Sequence, residues 1–454
     1  MSTTIAAIAT PNAPGGVGII RISGSDALPV AARVFRAAGG AVLTESPGYR
    51  AYYGAVYSDC EKIDEALCLV FRAPKSYTGE DVAELHCHGG LFLTQQTLRA
   101  VLAAGASPAE PGEFTKRAFL NGKRDLASAE SVMALIGAAG QQAAAAALQT
   151  LDGALSKEIR ACADRILSVT AALAAWVDYP DEDLPETDTV SILAAFRAVR
   201  ATLLELLRRY DCGKVLTAGV DTAIVGRPNV GKSTLMNLLS GYDRSIVTAV
   251  AGTTRDVVEE TVRLGDLLLR VADTAGIHET EDAIEHIGVD RARRRLAGAS
   301  LALAVFDGSA PLTADDRAVI DACKEKPSIA ILNKADLPPA ADCAALEAAF
   351  DRVVTLSAAT GEGLDALEAA IAALLGADSF DPSAACLINE RQRQCCAAAA
   401  EHLTEAIRAL QSGVTLDAVT VCADCAVDAL LELTGERATA ATVDAVFENF
   451  CVGK

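Results

Sequence analysis

The chain has 454 residues, 51% hydrophobic and 22% charged, a composition that fits a soluble globular protein of about three domains and excludes a disordered or fibrous one. Sixty carboxylates against 40 lysines and arginines give a formal net charge of −20, so the surface as a whole is no nucleic-acid cradle, and an RNA would have to meet a local patch or a partner. No apolar run reaches the roughly 18 residues of a membrane span, and Met1-Ser2-Thr3-Thr4 lacks the basic start of a signal peptide, so no membrane contact and a cytoplasmic location are expected.

Residues 1–120 alternate like β-strands at 5–9, 17–22, 51–56, 66–72 and 81–87, with helical patterns at 27–38 and 91–103, which predicts an α+β domain of mixed strands. Within the last of these strands, His86-Cys87-His88 send neighbouring side chains to opposite faces and are poorly placed to share a metal. From 121 to 215 the pattern is helical, at 126–136, 157–177 and 191–210, with a Pro/Asp/Glu-rich break at 178–188. Residues 216–378 alternate strand and helix as a mainly parallel sheet requires, and helical periodicity resumes at 385 within the last block, 379–454. Alanine runs at 143–147 and 397–400 favour close-packed helices. Neither helical block makes a bundle alone. The expected fold is therefore multidomain α/β and α+β, with a nucleotide-binding domain inserted into one discontinuous helical domain.

That inserted domain carries an ordered set of motifs. Gly226 to Ser233 reads Gly-Arg-Pro-Asn-Val-Gly-Lys-Ser, a Walker A loop between a strand at 222–225 and a helix at 234–239 that begins with Thr234. Its backbone N–H groups, Val230 and Gly231 among them, turn toward phosphates at a helix N-terminus; Lys232 reaches the β/γ-phosphates and Ser233 holds Mg²⁺. Asp273-Thr274-Ala275-Gly276 follows a strand at 267–272 and supplies the carboxylate for the Mg²⁺ hydration shell and a backbone that swings toward a γ-phosphate. Asn333-Lys334-Ala335-Asp336 follows a strand at 328–332; the Asp336 carboxylate accepts from the guanine N1/N2 edge, which adenine cannot donate, so GTP is expected. Ser357-Ala358, after a strand at 353–356, completes the base pocket, and Thr253-Thr254 lie where a switch threonine reaches Mg²⁺. Ile277 stands where many GTPases carry the glutamine that orients water, so the water must be placed by another group. For Asn229 two readings stand: it faces solvent, or it coordinates a monovalent cation where an arginine finger's charge would lie.

Thirteen cysteines are scattered in apolar or helical patterns, and the lone pair Cys422/Cys425 has no second pair to complete a zinc site. The tight basic groups, Lys116-Arg117 with Lys123-Arg124 and Arg291 with Arg293-Arg294-Arg295, read as solvated charged faces.

Segments outside the nucleotide motifs carry a resemblance that a generic GTPase does not explain. They are Ile5 to Pro11 with Gly15 to Gly24, Thr78-Gly79-Glu80-Asp81, His88-Gly89-Gly90, Pro111 to Lys123, Leu433-Thr434-Gly435-Glu436 and the tail Phe450-Cys451-Val452-Gly453-Lys454. On these the chain resembles, nearly end to end, the bacterial tRNA modification GTPases of the MnmE/TrmE family. The resemblance implies a folate-binding N-terminal domain that makes a constitutive homodimer (1–120), a helical domain in two parts (121–215 and 379–454) and an inserted G domain (216–378). It implies that, with a partner protein carrying FAD and using NADH, in a heterotetramer, the enzyme adds an aminomethyl or carboxymethylaminomethyl group to C5 of the wobble uridine of certain tRNAs. A tetrahydrofolate derivative, 5-formyl- or methylene-tetrahydrofolate, supplies the carbon, and GTP hydrolysis is required.

Position by position, the resemblance assigns folate contacts to Arg21, Glu84, Lys123 and Lys454. It assigns a potassium site to Asn229, Thr248, Val250 and Thr253, within a nucleotide-contacting loop that also includes Ala249, Ala251 and Gly252. Mg²⁺ falls to Ser233 and Thr254, and the hydrolytic water to Glu285. Without it, Glu84 reads as a strand carboxylate on a solvated face, and Glu285 as one acid in an acidic stretch. Cys451 has two readings, a nucleophile toward a folate one-carbon group or part of a tail that merely completes the pocket. Ala13-Pro14, Ala249, His278 and the conservative Val452 depart from the family pattern. The rival reading, a ribosome-assembly GTPase that binds rRNA, lacks a KH-like G-x-x-G loop and a basic tail; a membrane-associated scaffold GTPase lacks an amphipathic basic helix or lipidation signal.

Overall fold

The computed structural model describes residues 3–178, 189–217, 219–242, 259–272, 296–448 and 450–454. The chain divides into two compact units: one comprises Met1–Met133, Ser156–Phe196 and Glu401–Lys454, the other Ala134–Leu155 and Arg197–Ala400.

The first unit is built on a seven-stranded sheet of β1 (Ile5–Ile8), β2 (Val17–Ser23), β3 (Phe35–Ala37), β4 (Arg50–Ser58), β5 (Glu61–Phe71), β6 (Val82–His88) and β7 (Ser107–Pro108), in the order β3-β4-β5-β6-β2-β1-β7. All neighbours are antiparallel except β1 and β7. Helices α1 (Ala27–Val34) and α2 (Leu91–Ala103) pack with the sheet into one core that buries Ile20, Ile22, Leu28, Val70, Leu85 and Val101. Each such side chain contributes about 1.5–3 kcal/mol of transfer free energy. Because strand side chains alternate, Arg21 between Ile20 and Ile22, and Glu84 and His86 flanking Leu85, fall on the other face.

The helix expected over 27–38 stops at Val34 instead. Phe35–Ala37 becomes an edge strand paired with β4 because the Phe35 ring is buried and the backbone there satisfies the open N–H and C=O groups of that strand. The expected solvated face at Lys116-Arg117 is also corrected. Arg117 is only 8% exposed and is held by Glu80, Glu113 and the Thr3 carbonyl, while Lys116 pairs with Asp444 at 2.7 Å. A buried guanidinium needs that many acceptors to offset lost hydration.

The remaining helices up to the second sheet are α3 (Glu113–Leu120), α4 (Leu126–Ile136), α5 (Gln141–Leu151, carried by the alanine run), α6 (Ala154–Asp178) and α7 (Thr189–Thr217). The acidic break expected at 178–188 lies, beyond Asp178, outside the described residues. The second unit holds a six-stranded sheet of β8 (Val220–Val225), β9 (Glu259–Leu264), β10 (Leu267–Ala272), β11 (Leu301–Asp307), β12 (Ser328–Asn333) and β13 (Arg352–Thr355), ordered β13-β12-β11-β8-β10-β9. Only β9 and β10 are antiparallel. Among the described residues, the helices that alternate with these strands are α8 (Lys232–Tyr242), α9 (Ala314–Cys323), α10 (Cys343–Glu347) and α11 (Leu364–Leu374). Two separate cores form, one including Leu235, Leu269, Val305 and Ile371, the other including Phe306, Leu346 and Phe350. A parallel sheet buried on both faces explains why β11 and β12 read as continuous apolar runs.

After this sheet come α12 (Glu390–Gln411), α13 (Leu416–Thr434) and α14 (Ala440–Glu448). Among the described residues no helix is long and apolar enough to cross a membrane.

The Leu433-Thr434-Gly435-Glu436 segment ends α13. Gly435 takes φ 91°, and a Cβ there would lie 2.6 Å from Leu126 Cβ and 2.9 Å from the Phe119 ring. Glu436 pairs with Arg160, which also reaches Asp125. Gly435→Ala therefore combines backbone strain with a steric clash and should cost about 1–3 kcal/mol. Chemical denaturation should show a lowered midpoint; an unchanged midpoint would contradict this role.

Candidate functional site

In the second unit the C-terminal ends of the parallel strands bring the Walker loop and the 333–336 and 357–358 motifs to one edge, as ligand sites in such sheets require. β8 runs into the Walker loop, which ends at the start of α8 with Lys232. Gly231 has φ 96°, and a Cβ there would strike the Asn333 amide, so this position excludes any side chain. Asn229 is exposed and also left-handed, at φ 62°, a conformation asparagine tolerates. The Lys232 ammonium donates to the Gly226 and Arg227 carbonyls at 2.8 and 2.7 Å, folding over the loop that would receive phosphate. Ser233 and Thr234 are exposed on the first turn of α8.

The base side is tied to this loop. Asn333, 2% exposed at the end of β12, donates through Nδ2 to the Val230 carbonyl at 2.8 Å and accepts through Oδ1 from the Ala358 N–H at 2.9 Å. Ser357 Oγ bonds Asp336 Oδ1 at 2.6 Å, orienting an exposed carboxylate, and the Ala335 N–H donates to the Leu356 carbonyl. Asp336, Ser357 and Ala358 are thus gathered in one place.

Two partners escaped the sequence reading. Asp307, at the end of β11, accepts from Lys334 Nζ at 2.6 Å; Arg227 reaches Asp316 at 3.2 Å and lies 3.9 Å from Asp307. Burial works to raise the Asp307 carboxyl, but hydrogen bonds from Lys334 and Ser309 outweigh it and hold it at about 2, down from its ordinary 3.8. The available signal was a carboxylate closing an apolar strand, the same pattern that marks Asp273.

Residues 248–254, the 273–276 motif, Ile277, His278 and Glu285 lie outside the described residues, as do Arg291 and Arg293 to Arg295. Among the described residues no three His, Cys, Asp or Glu side chains gather as a metal site; Cys422 and Cys425 sit on α13.

The first unit holds a second constellation, on the sheet face away from its two covering helices. Arg21 and Glu84 are directly opposed on β2 and β6 and pair at 2.8 Å with both side chains mostly buried. The other Glu84 oxygen lies 3.3 Å from His86 Nε2. Cys87, next in sequence, is buried in the helix-covered core on the opposite face, and His88, exposed, pairs with Asp64. The Arg21 guanidinium stands 5.2 Å from the Tyr77 ring and 5.6 Å from that of Phe114, and donates to the Gly453 carbonyl at 3.3 Å.

That last bond brings in the tail. Val452 bridges to Pro111, the Gly112 N–H donates to the Cys451 carbonyl at 3.4 Å, and the Phe114 N–H donates to the main-chain oxygen of Lys454 at 3.2 Å. Gly453, at φ 95°, lies so close to Ile8 and Ala9 that a Cβ would strike the Ile8 carbonyl. The Cys451 side chain is exposed. Lys123 donates to the Pro74 carbonyl at 3.1 Å and packs its stem beside Gly79. The sequence reading missed Tyr77, Phe114 and His86 here, which only tertiary packing brings to the pair.

A Walker loop braced to a base loop, with a lone carboxylate oriented by a serine, defines a P-loop protein of the guanine-nucleotide-binding class. Two family descriptions match the chain, "GTP-binding protein TrmE N-terminus" over residues 4–123 and "MnmE helical domain" over residues 126–451. The tRNA modification GTPase MnmE of Symbiobacterium thermophilum is 44% identical over 455 residues, covering 99% of both chains. Those of Latilactobacillus sakei and Synechococcus elongatus are each 43% identical, covering 99% of this chain and 98% of theirs. The chain belongs to the MnmE family of tRNA modification GTPases.

The Asp307–Lys334 pair generates a prediction with a defined pH window. Because its carboxyl is depressed on folding, its contribution is full above the ordinary value of 3.8 and disappears only as pH falls through about 2. Asp307→Asn should therefore act at neutral pH like deep acid. Loosening Lys334 should weaken binding of a fluorescent GDP analogue about tenfold, or about 1.4 kcal/mol. Equal affinity for wild type and variant would remove Asp307 from the base site.

Proposed function

We propose that the chain is a GTP-hydrolysing enzyme of tRNA modification that acts on C5 of the wobble uridine, using a folate-borne carbon and a flavin-dependent partner. The observation that carries this reading is the tail docked beside Arg21 and Glu84: a plain nucleotide switch has no use for such a site. The residues there suit a folate. Glu84 offers carboxylate oxygens to the amino and N–H groups of a pterin, Tyr77 and Phe114 offer aromatic surface, and Arg21, Lys123 and Lys454 offer cations to a glutamate tail. The bound folate would supply a one-carbon unit. Of the two readings of Cys451, a nucleophile or a structural part of the tail, its exposed side chain is compatible with the first and its backbone bond to Gly112 with the second.

In this reading the second unit is the control element. Lys232 and Ser233 hold the phosphates and Mg²⁺, Asp336 selects guanine, and Asn229, with Thr248, Val250 and Thr253, takes K⁺ in place of an arginine finger. Glu285 positions water where Ile277 cannot. The arrangement proposed is a discontinuous helical domain around an inserted G domain, in a homodimer whose G domains meet during hydrolysis, working in the cytoplasm with a partner that carries FAD and uses NADH.

Nucleoside analysis of tRNA from a strain lacking this chain should show wobble uridines without their C5 substituent; a normal modification profile would defeat the proposal. Separately, replacing K⁺ by Na⁺ should slow GTP turnover at least tenfold, as loss of a transition-state charge requires. Equal rates in the two salts would remove the cation from the mechanism.

A further inference from the structure

The Walker loop carries a cation at a position its motif leaves open. Arg227 lies between Gly226 and Pro228, and what sets it apart from a surface ion pair is the depth of its partner. Its Nε donates to Asp316 Oδ2 at 3.2 Å, and Asp316, in the first turn of α9, is only 2% exposed. The same oxygen closes the capping box of that helix, accepting from the Thr313 N–H and hydroxyl at 2.8 Å each. Asp316 Oδ1 has no hydrogen-bond partner among the described residues. A carboxylate buried in this way needs a cation to offset its lost hydration, and among the described residues Arg227 is the cation paired with it. Asp307, 3.9 Å from Arg227, is already engaged by Lys334 at 2.6 Å, which leaves Asp316 as the anchor.

Arg227 is engaged through its main chain as well. Its carbonyl accepts from Lys232 Nζ at 2.7 Å, beside the Gly226 carbonyl at 2.8 Å. The backbone that carries those two oxygens has little freedom. A Cβ at Gly226 would lie 2.4 Å from the Val305 carbonyl of β11, so the first residue of the loop is pressed against the sheet. Pro228 in turn disfavours the helical region for Arg227. With its side chain pinned to α9, Arg227 presents its carbonyl in one place, and that carbonyl places the ammonium that leans on it. We infer that Arg227 is a positioning residue for the phosphate site: Asp316 holds Arg227, Arg227 holds Lys232, and this relay sets how tightly the β-phosphate of a guanine nucleotide is bound. The inference rests on the phosphate role proposed for Lys232 and adds the residues that place it.

Competition of GDP and of GMP against a fluorescent GDP analogue on the full-length protein tests it, because only GDP carries the β-phosphate. Arg227→Met keeps the stem and removes the guanidinium; it should weaken GDP about tenfold and change GMP far less. That variant also strands a buried carboxylate, and the double variant Arg227→Met, Asp316→Asn separates the two effects. The double variant should recover the denaturation midpoint that the single variant loses, yet stay weak for GDP. Arg227→Lys, whose ammonium can reach the same Asp316 oxygen, should keep most of the GDP affinity. Lys232→Ala should weaken GDP at least as much as Arg227→Met. Wild-type GDP affinity in Arg227→Met, equal losses for GDP and GMP, or a double variant that regains GDP binding would overturn the relay, while a weakened Lys232→Ala leaves the phosphate site standing. GDP affinity untouched by Lys232→Ala would overturn the phosphate role of Lys232 and the relay with it.

Discussion

One buried amide organises the nucleotide-binding unit. Asn333 closes β12 with its side chain among the sheet's apolar residues, where an amide without partners costs about 1–3 kcal/mol. It finds one partner in the phosphate loop, at the Val230 carbonyl, and one in the base loop, at the Ala358 N–H. The two loops are therefore not independent. Gly231 is part of the same constraint, since only a residue without a side chain lets that amide approach the loop. Lys334, the next residue, is left-handed at φ 65°, and this turn carries its ammonium back to Asp307 while the chain proceeds to Asp336. Phosphate binding and base selection are set by one strand end and its immediate neighbours.

The first unit uses a similar device with different chemistry. There the guanidinium of Arg21 is the shared group, pairing with Glu84 on the neighbouring strand and reaching the Gly453 carbonyl of the tail. Gly453 plays the part of Gly231: its positive φ and contact with Ile8 and Ala9 leave no room for a side chain. The conformation of the last residues is thus specified by packing against β1 and the start of α3. Cys451 and Lys454 are positioned through backbone bonds, and the Cys451 side chain stays exposed.

Much of this was legible in the sequence, for identifiable reasons. Strands flanked by glycine-rich or acidic motifs announced the nucleotide edge, because a Walker loop needs a strand before it and a helix after it; β8 and α8 provide both. The strand at 267–272 was read with its observed bounds, since both ends meet turn or polar residues. What escaped was tertiary. Nothing local distinguishes Phe35–Ala37 from a last helical turn; the open edge of β4 decides it. Asp307 shows as a strand-end carboxylate, but only the fold brings Lys334 to it. Tyr77 lies far in sequence from Arg21 and acquires meaning only once loop and strand are adjacent.

Charge shows the same limit most sharply. Lys116-Arg117 and Lys123-Arg124 look alike in sequence, two basic dipeptides on either side of one helix end. The first is absorbed, with Arg117 buried among Glu80, Glu113 and a main-chain oxygen, so it stabilises the unit and is lost to any ligand. The second is left without an acid, beside an aromatic ring and a carbonyl that hold it in place. Net charge cannot tell these apart, because it sums over partners that geometry either supplies or withholds. Between these two dipeptides, pairing has absorbed the first, and the second keeps charge that no carboxylate among the described residues neutralises.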